Sequence, residues 1–404
     1  MPTYDVVVVG AGVMGASVAR HLALETEYTV AVLDKEQHLA RHQSGRSSGV
    51  VHPGFMVSPG TQEAAIAPEG ARRLVEYCRA HDVPMHLGGE VRIATDADSE
   101  SRVRELHENG AAHGVETTVL TSAEAIREHE PHAAGELALH CPTNGTVDFV
   151  ALTNALALEA REAGAAFFMG YEVQGLERTD AGFDVRTDKG RFDARYLVNA
   201  AGVHADRFAH ELGIAEGKRI IPYRGVFYEL VPEKRHLVNS NIYPVSDPHN
   251  PIGTGIHFTR RPDDKVIVGP SFSLAPAREG YDRDDFSMTD VLGAIDHEGF
   301  RAYLQREEAL AWELDQLREA HTKSRFVAAA QRLVPEVRAD DLVESYTGVI
   351  VRVMNHDGSW ADMQVFEHGE RSSHLLAVLP GITSSVTIGE RIADVVVERL
   401  GSGE

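Results

Sequence analysis

YDVVVVGAGVMGASVARHLALETEYTVAVLD, residues 4–34, decides the fold. Its opening valines form a continuous β-branched run, which predicts a strand covered on both faces. A helix of small and apolar residues follows, then a second strand with Thr29–Leu33 at its heart. Between the first strand and the helix stand Gly10-x-Gly12-x-x-Gly15. The first glycine permits the tight turn and the second lets backbone approach a pyrophosphate. The third lets helix and strand pack closely, with the helix N-terminus facing the phosphate charge. Asp34 ends the second strand at about the 20-residue offset of a ribose-binding acid. Its charge would repel a 2′-phosphate. This is a βαβ dinucleotide-binding unit of an α/β fold.

Working outward, the next segment is RHQSGRSSGVVHPGF, Arg41–Phe55. It has little from which to build a core. Gly45, Arg46, Ser47 and Ser48 offer backbone N–H groups, hydroxyls and one positive charge to phosphates and a ring edge. A nicotinamide dinucleotide does not need such a lining, whereas a flavin ring lying beyond the pyrophosphate does. LVNAAGVHAD, Leu197–Asp206, is a strand ending in small residues, and it predicts Ala201 and Gly202 against the adenosine and pyrophosphate. PGITSSVTIGERIADVV, Pro380–Val397, places Gly381, Thr383, Ser384 and Ser385 before a final helix read over Thr387–Leu400. Amides at that helix start are suited to the flavin N1–O2 edge. The cofactor expected is noncovalent FAD.

The composition sets limits. The chain has 404 residues, 43% hydrophobic and 25% charged, enough for two domains with proper cores. No apolar run reaches the ~18–20 residues of a membrane span, so no integral membrane segment is expected. MPTYDVVVVG enters a strand at once without a basic leader, which reads as cytoplasmic. Cys78 and Cys141 have no metal or redox spacing and are read as reduced. A net charge of −22 argues against nucleic acid and anionic lipid as partners. Excess acid with little lysine would suit a salt-rich cytoplasm, and biased base composition would also favour arginine over lysine. The 21 histidines form no HxH or HExxH pattern, so no metal is expected.

The elements divide into a discontinuous, Rossmann-like FAD-binding domain (residues 1–84, 147–215 and 340–404) and an antiparallel-sheet α+β substrate domain (85–146 and 216–339). Residues from about Ala64 to Ala80 read as an amphipathic helix. Asp148 reads as the N-cap of a long helix. The acidic helices after Ser287 read as a solvated face.

HQSGRSSGVVHPG, CPTNGTVDF, VNAAGVHADRFA, IPYRGVFYEL, IYPVSDP, GIHFTR, VGPSFSLAPAREGY, DGSWADM and TSSVTIG are spread over most of the chain. Together they resemble the FAD-dependent oxidoreductases of the D-amino-acid-oxidase-like superfamily, and within it the L-2-hydroxyglutarate oxidases or dehydrogenases. The resemblance implies oxidation of a 2-hydroxy acid to a 2-oxo acid, with hydride passing from C2 to flavin N5. It also implies a base for the hydroxyl proton and arginines for carboxylates. His52 is the first candidate for the base or for a residue at the flavin edge, and His257 the second. On an alternating strand His257 shares a face with Thr259, while Arg260 points the other way unless the strand ends there. Arg224, Tyr243 and Arg260 are candidates for binding substrate; Tyr223 and Arg224 would line the cleft. Arg352 is the candidate for a substrate carboxylate. The family's arginine is expected two residues earlier, where this chain has Ile350, but a strand's period of two sends both to the same side. Met56-Val57 and Glu63 also depart from the family's tyrosines and lysine.

Two other readings of the same residues are a flavin amine oxidase and a non-catalytic flavin-binding electron-transfer subunit. The electron acceptor is oxygen, a quinone or a carrier protein.

Overall fold

The computed structural model describes residues 2–61, 63–245 and 254–401, so Ser246–Pro248 of the IYPVSDP stretch lie outside it. Two eight-stranded sheets carry most of the strands. In the first, Thr3–Val9 lies parallel to Val30–Asp34 on one edge and to Gly190–Asn199 on the other. Ala166–Met169 extends the sheet beyond Val30–Asp34, and Ser372–Val378 lies parallel to the end of Gly190–Asn199. A central strand covered on both faces must be apolar throughout. Alternation divides its valines. Val6 and Val8 pack with Val18, Leu22, Ile388 and Ile392 from the helices Val13–Glu25 and Ser385–Gly401. Val7 and Val9 face Phe183, Val185 and Phe192 of the antiparallel ribbon on the other side.

The second sheet runs, edge to edge, through Leu342–Asn355, Lys218–Leu230, Val266–Leu274, His257–Arg260, Asn241–Pro244, Glu90–Ile93, Ala138–Cys141 and Thr118–Leu120. Its pairs are antiparallel except Asn241–Pro244 with Glu90–Ile93. Helices between Met288 and Gln331 lie beside it, with Phe326, Val327 and Ala330 packed into the core around Tyr228 and Val268. A three-stranded sheet of Val50–Val51, Gly145–Val147 and Met85–His86 holds the polar loop.

Three local expectations meet the structure directly. Asp148 caps the helix Phe149–Glu162 by accepting from the Ala151 N–H at 3.0 Å. The amphipathic helix covers Ala67–Ala80. The last helix starts at Ser385, two residues earlier than its periodicity suggested. Cys78 and Cys141 are both buried and unbridged. Among the described residues no helix is long and apolar enough to cross a membrane.

Two expectations need correction. Leu342–Asn355 pairs along its length with Lys218–Leu230, from Lys218↔Asn355 to Leu230↔Leu342. Residues 342–355 therefore belong to the second sheet, whereas the sequence division put everything after 340 with the dinucleotide unit. Alternation identifies a strand but says nothing about which strand it will join. The acidic helices are also not wholly solvated. Glu313, on the helix Glu307–His321, is 6% exposed and accepts from the Tyr223 and Tyr303 hydroxyls at 2.5 and 3.1 Å.

Candidate active site

A cavity of about 1160 Å³ runs between the sheets, from Gly10, Gly12 and Asp34, past Ser47 and Ser48, to Tyr243, His257 and Arg352. At its first end Gly10 is sterically required. Gly10 has φ +102°, and a Cβ there would lie 2.4 Å from the Ala200 carbonyl oxygen. Gly12 caps the Val13–Glu25 helix without a side-chain hydrogen bond, and the first turn has no acid. The Val13 N–H donates to Ser44 Oγ at 3.0 Å. Uncapped amides at a helix N-terminus suit an anion. Asp34 accepts from the Ala11 and Glu36 N–H groups at 2.6 and 2.8 Å, and burial raises its pKa. It thus ties the glycine turn to the second strand, and each carboxylate oxygen retains a further lone pair for a ribose hydroxyl.

Gly15 and Gly45 work from behind the wall. A Cβ on Gly15 would sit 1.9 Å from the Gly10 carbonyl oxygen, and one on Gly45 would sit 2.0 Å from that of Ala40. The substitution Gly15→Ala is therefore expected to push the helix off the turn. Flavin retained per chain, read as visible absorbance after purification, should fall about tenfold; full retention would show that the turn tolerates the shift.

Arg46 lines the cavity, but its guanidinium donates to the Arg41 and Thr347 carbonyls, both at 3.1 Å, and lies 4.1 Å from the centre of the Tyr281 ring. It joins the loop to the second sheet. Ser47, Ser48, Ala201, Gly202, Gly381 and Thr383 all line the cavity. Ser47 Oγ meets no hydrogen-bond partner among the described residues. Thr383 Oγ1 accepts from the His52 N–H at 3.0 Å and donates to the Val50 carbonyl at 3.4 Å. Ser384 and Ser385 are fully buried outside the lining, and the Ser385 carbonyl accepts from Ser17 Oγ at 2.9 Å. Ser385 thus joins the two helices. Backbone clearance, open helix amides and a buried hydroxyl along one continuous cavity fit an FAD.

At the other end three strands place one row of side chains. Tyr243 is in register with Arg92 on one side, and the pair Ile242↔Phe258 brings His257 beside Tyr243 on the other. The His257 and Tyr243 rings stack at 3.8 Å with 14° between their planes. His257 Nδ1 lies 2.7 Å from the Gly255 carbonyl. A carbonyl only accepts, so Nδ1 carries the proton and Nε2 presents a lone pair. Nε2 is buried and has no hydrogen-bond partner among the described residues. Burial pushes the His257 pKa down to about 3; the Gly255 bond opposes this, and the charges of Arg92 and His52 add to it. His52 lies edge-on to Tyr243 at 6.4 Å, and its pKa too is pushed down to about 3, by burial and then by Arg92.

Arg352 is 6% exposed, donates to the Ala361 carbonyl at 3.0 Å and lies 5.5 Å from the centre of the Trp360 ring. Burial lowers its pKa. Ile350 and Arg352 both line the cavity, as the strand period requires. Met56, Val57 and Glu63, the departures noted in the sequence, line it as well.

Two candidates lie elsewhere. Arg224 donates to the Asp282 carbonyl at 2.6 Å and is not part of the lining. Gly225 and Phe227 hold the cavity side of its strand, so Arg224 is one residue out of phase. Arg260 donates to the Arg235 and Val238 carbonyls at 3.0 and 2.7 Å, pairs with Asp264, and also lies outside the lining. Alternation turns it away from the His257 face.

The sequence reading missed Arg92. It is 1% exposed, lines the cavity, and its Nε donates to Glu90 at 2.7 Å. The available signal was GGEVRIATD, where Glu90 and Arg92 share one face of a strand whose other face is Val91 and Ile93. Two opposite charges on one face of an inner strand suggest a buried pair.

Residues 5–395 match the family model described as FAD dependent oxidoreductase. The mitochondrial L-2-hydroxyglutarate dehydrogenase of Nematostella vectensis is 34% identical over 98% of this chain and 91% of its own. The L-2-hydroxyglutarate dehydrogenase of Escherichia coli K12 is also 34% identical, over 99% of this chain and 94% of its own. Among solved structures, L-alpha-glycerophosphate oxidase from Mycoplasma pneumoniae, with FAD bound, superposes with a TM-score of 0.78 at 19% identity, covering 99% of this chain and 95% of its own. Glycine oxidase from Geobacillus kaustophilus gives 0.73 at 21% identity, covering 98% and 95%. A glycine-turn cradle, a cavity that continues from it to a buried histidine, and these likenesses over nearly the whole chain agree: the protein belongs to the FAD-dependent oxidoreductase family that includes the L-2-hydroxyglutarate dehydrogenases.

Proposed function

We propose that this protein oxidises L-2-hydroxyglutarate to 2-oxoglutarate with noncovalent FAD. The observation that carries the reading is a neutral, buried His257 whose Nε2, without a hydrogen-bond partner among the described residues, shares a cavity with the cationic Arg352. When bound, FAD supplies the acceptor for the hydride that leaves substrate C2.

The chain's own residues do the rest. His257 Nε2 takes the hydroxyl proton as the C2–O bond becomes a carbonyl, and its Nδ1–H stays on the Gly255 carbonyl. Arg352 holds the carboxylate beside the reacting carbon, since a guanidinium stays charged when enclosed and binds two oxygens at once. Tyr243 fixes the imidazole plane by stacking, and the buried row excludes water. His52 is anchored through its backbone to Thr383 and forms the wall beside the base. Gly10, Gly12, Asp34, Ser47, Ser48, Ala201, Gly202, Gly381 and Thr383, which line the cavity, would hold the cofactor. The acceptor that completes turnover would be oxygen, a quinone or a carrier protein. Two buried free cysteines fit a reducing compartment, and the cytoplasm is the setting proposed.

Anaerobic mixing of the FAD-loaded protein with candidate acids tests the proposal. L-2-Hydroxyglutarate should bleach the flavin, while the D-enantiomer and amino acids should leave it oxidised. Bleaching by amino acids alone would replace this reading with an amine oxidase. No bleaching by any acid would favour a non-catalytic subunit.

A further inference from the structure

Arg352 accounts for one carboxylate of a diacid. A second buried guanidinium lines the same cavity without a part in proton or hydride transfer. We infer that Arg92 receives the remote carboxylate of the substrate and thereby selects dicarboxylic over monocarboxylic 2-hydroxy acids. This inference rests on the 2-hydroxydicarboxylate reading above.

The first support is an unmet donor. Arg92 is 1% exposed, and Glu90 takes only its Nε. Its Nη2 is buried without a hydrogen-bond partner among the described residues. A buried donor left unpaired costs about 1–3 kcal/mol, more when charged, so such a group in a ligand cavity implies a ligand acceptor.

The second is preorganisation. Glu90 is fixed from its other side by Asn144 Nδ2 at 2.8 Å, and Asn144 Oδ1 accepts from Asn241 Nδ2 at 2.8 Å. The Arg92 guanidinium lies 4.7 Å from the Tyr243 ring centre and 5.5 Å from that of Phe55. Aromatic contacts and the Nε bond define the guanidinium plane and leave its Nη side to meet a planar acceptor. A carboxylate fits that edge with two parallel N–H···O bonds.

The third is spacing. His257, Tyr243 and Arg92 occupy one row on three neighbouring strands. The base and the guanidinium therefore start two strand spacings apart, about 10 Å at the backbone. With hydrogen bonds at both ends, a five-carbon hydroxydiacid spans such a row from its hydroxyl to its far carboxylate. A two- or three-carbon hydroxy acid leaves Arg92 unpaired, and that penalty is what discriminates.

Calorimetric titration with glutarate and butyrate tests this, because neither has a hydroxyl to oxidise and binding is read apart from turnover. The FAD-loaded wild-type protein should bind glutarate at least about tenfold more tightly than butyrate. In Arg92→Met, glutarate should weaken about 30-fold or more, with butyrate changed less than about twofold. The double variant Glu90→Gln/Arg92→Met removes both buried charges and should show the same selective loss, even if the single variant retains no flavin. Equal weakening of both ligands, or no glutarate preference in the wild-type protein, would overturn the inference. Selective loss in a protein whose flavin L-2-hydroxyglutarate does not bleach would sustain Arg92 as a diacid receptor and sink only the proposed reaction. Bleaching with an unaltered preference in the variant would sink only Arg92's role.

Discussion

The substitution His257→Gln is expected to lower kcat for L-2-hydroxyglutarate by about 10²–10⁴-fold while flavin content stays at the wild-type level. Glutamine retains an N–H for the Gly255 carbonyl but cannot take a proton, so the loss isolates proton transfer from packing. His257 is suited to the task because its tautomer is fixed, with Nδ1 on the Gly255 carbonyl and Nε2 buried without a hydrogen-bond partner among the described residues. Among the described residues His52 Nδ1 has no such fixing bond, and the anchor of His52 to Thr383 is through the backbone. The substitution His52→Gln should therefore cost less than about tenfold. A collapse of kcat in the His52 variant with activity retained in the His257 variant would exchange the two assignments. The pH profile is a further readout. The proton acceptor must be neutral, and the enclosed His257 has its pKa pushed down to about 3. Lowering the pH through 6.5, where an exposed histidine gains its proton, should leave kcat/KM level. The acidic fall should come only as the pH approaches that depressed value. A limb centred near 6.5 would mean that the base is solvated in the working enzyme.

The substitution Arg352→Met is expected to raise KM for the diacid about 100-fold or more. Truncating one partner of an enclosed charge pair costs about 2–5 kcal/mol, because the other charge is left desolvated and unpaired. Glutarate and butyrate should both weaken in this variant, unlike the selective loss expected of Arg92→Met, because Arg352 is assigned to the carboxylate that both ligands have. Lysine should rescue only part of the effect: it cannot donate from a planar fork while lying against Trp360, which the guanidinium does at 5.5 Å. An unchanged KM and unchanged ligand affinities would remove Arg352 from the substrate.

The cofactor half of the site was legible along the chain because its determinants are short-range. A buried parallel strand, a turn that needs missing Cβ atoms and a helix start all lie within one βαβ unit, and Gly10, Gly12 and Asp34 do line the cavity. The proposed substrate end of the cavity was read less completely. His52, His257, Tyr243 and Arg352 line the same cavity, but Arg224 and Arg260 leave the lining through strand alternation, and Arg92 enters it from a strand about 150 residues before Tyr243 and in register with it.

The sequence by itself determined the dinucleotide fold, because periodicity and turn chemistry are local properties, and its resemblance to a known family carried the oxidoreductase class. Only the tertiary structure decided that Leu342–Asn355 joins the second sheet, and that one acid of the charged helices turns inward to two tyrosines. It likewise decided that Arg92, Tyr243 and His257 form one row. Those outcomes depend on which strands pair and in what register. Pairing is settled by burial of whole faces at once, which no single segment of the chain encodes.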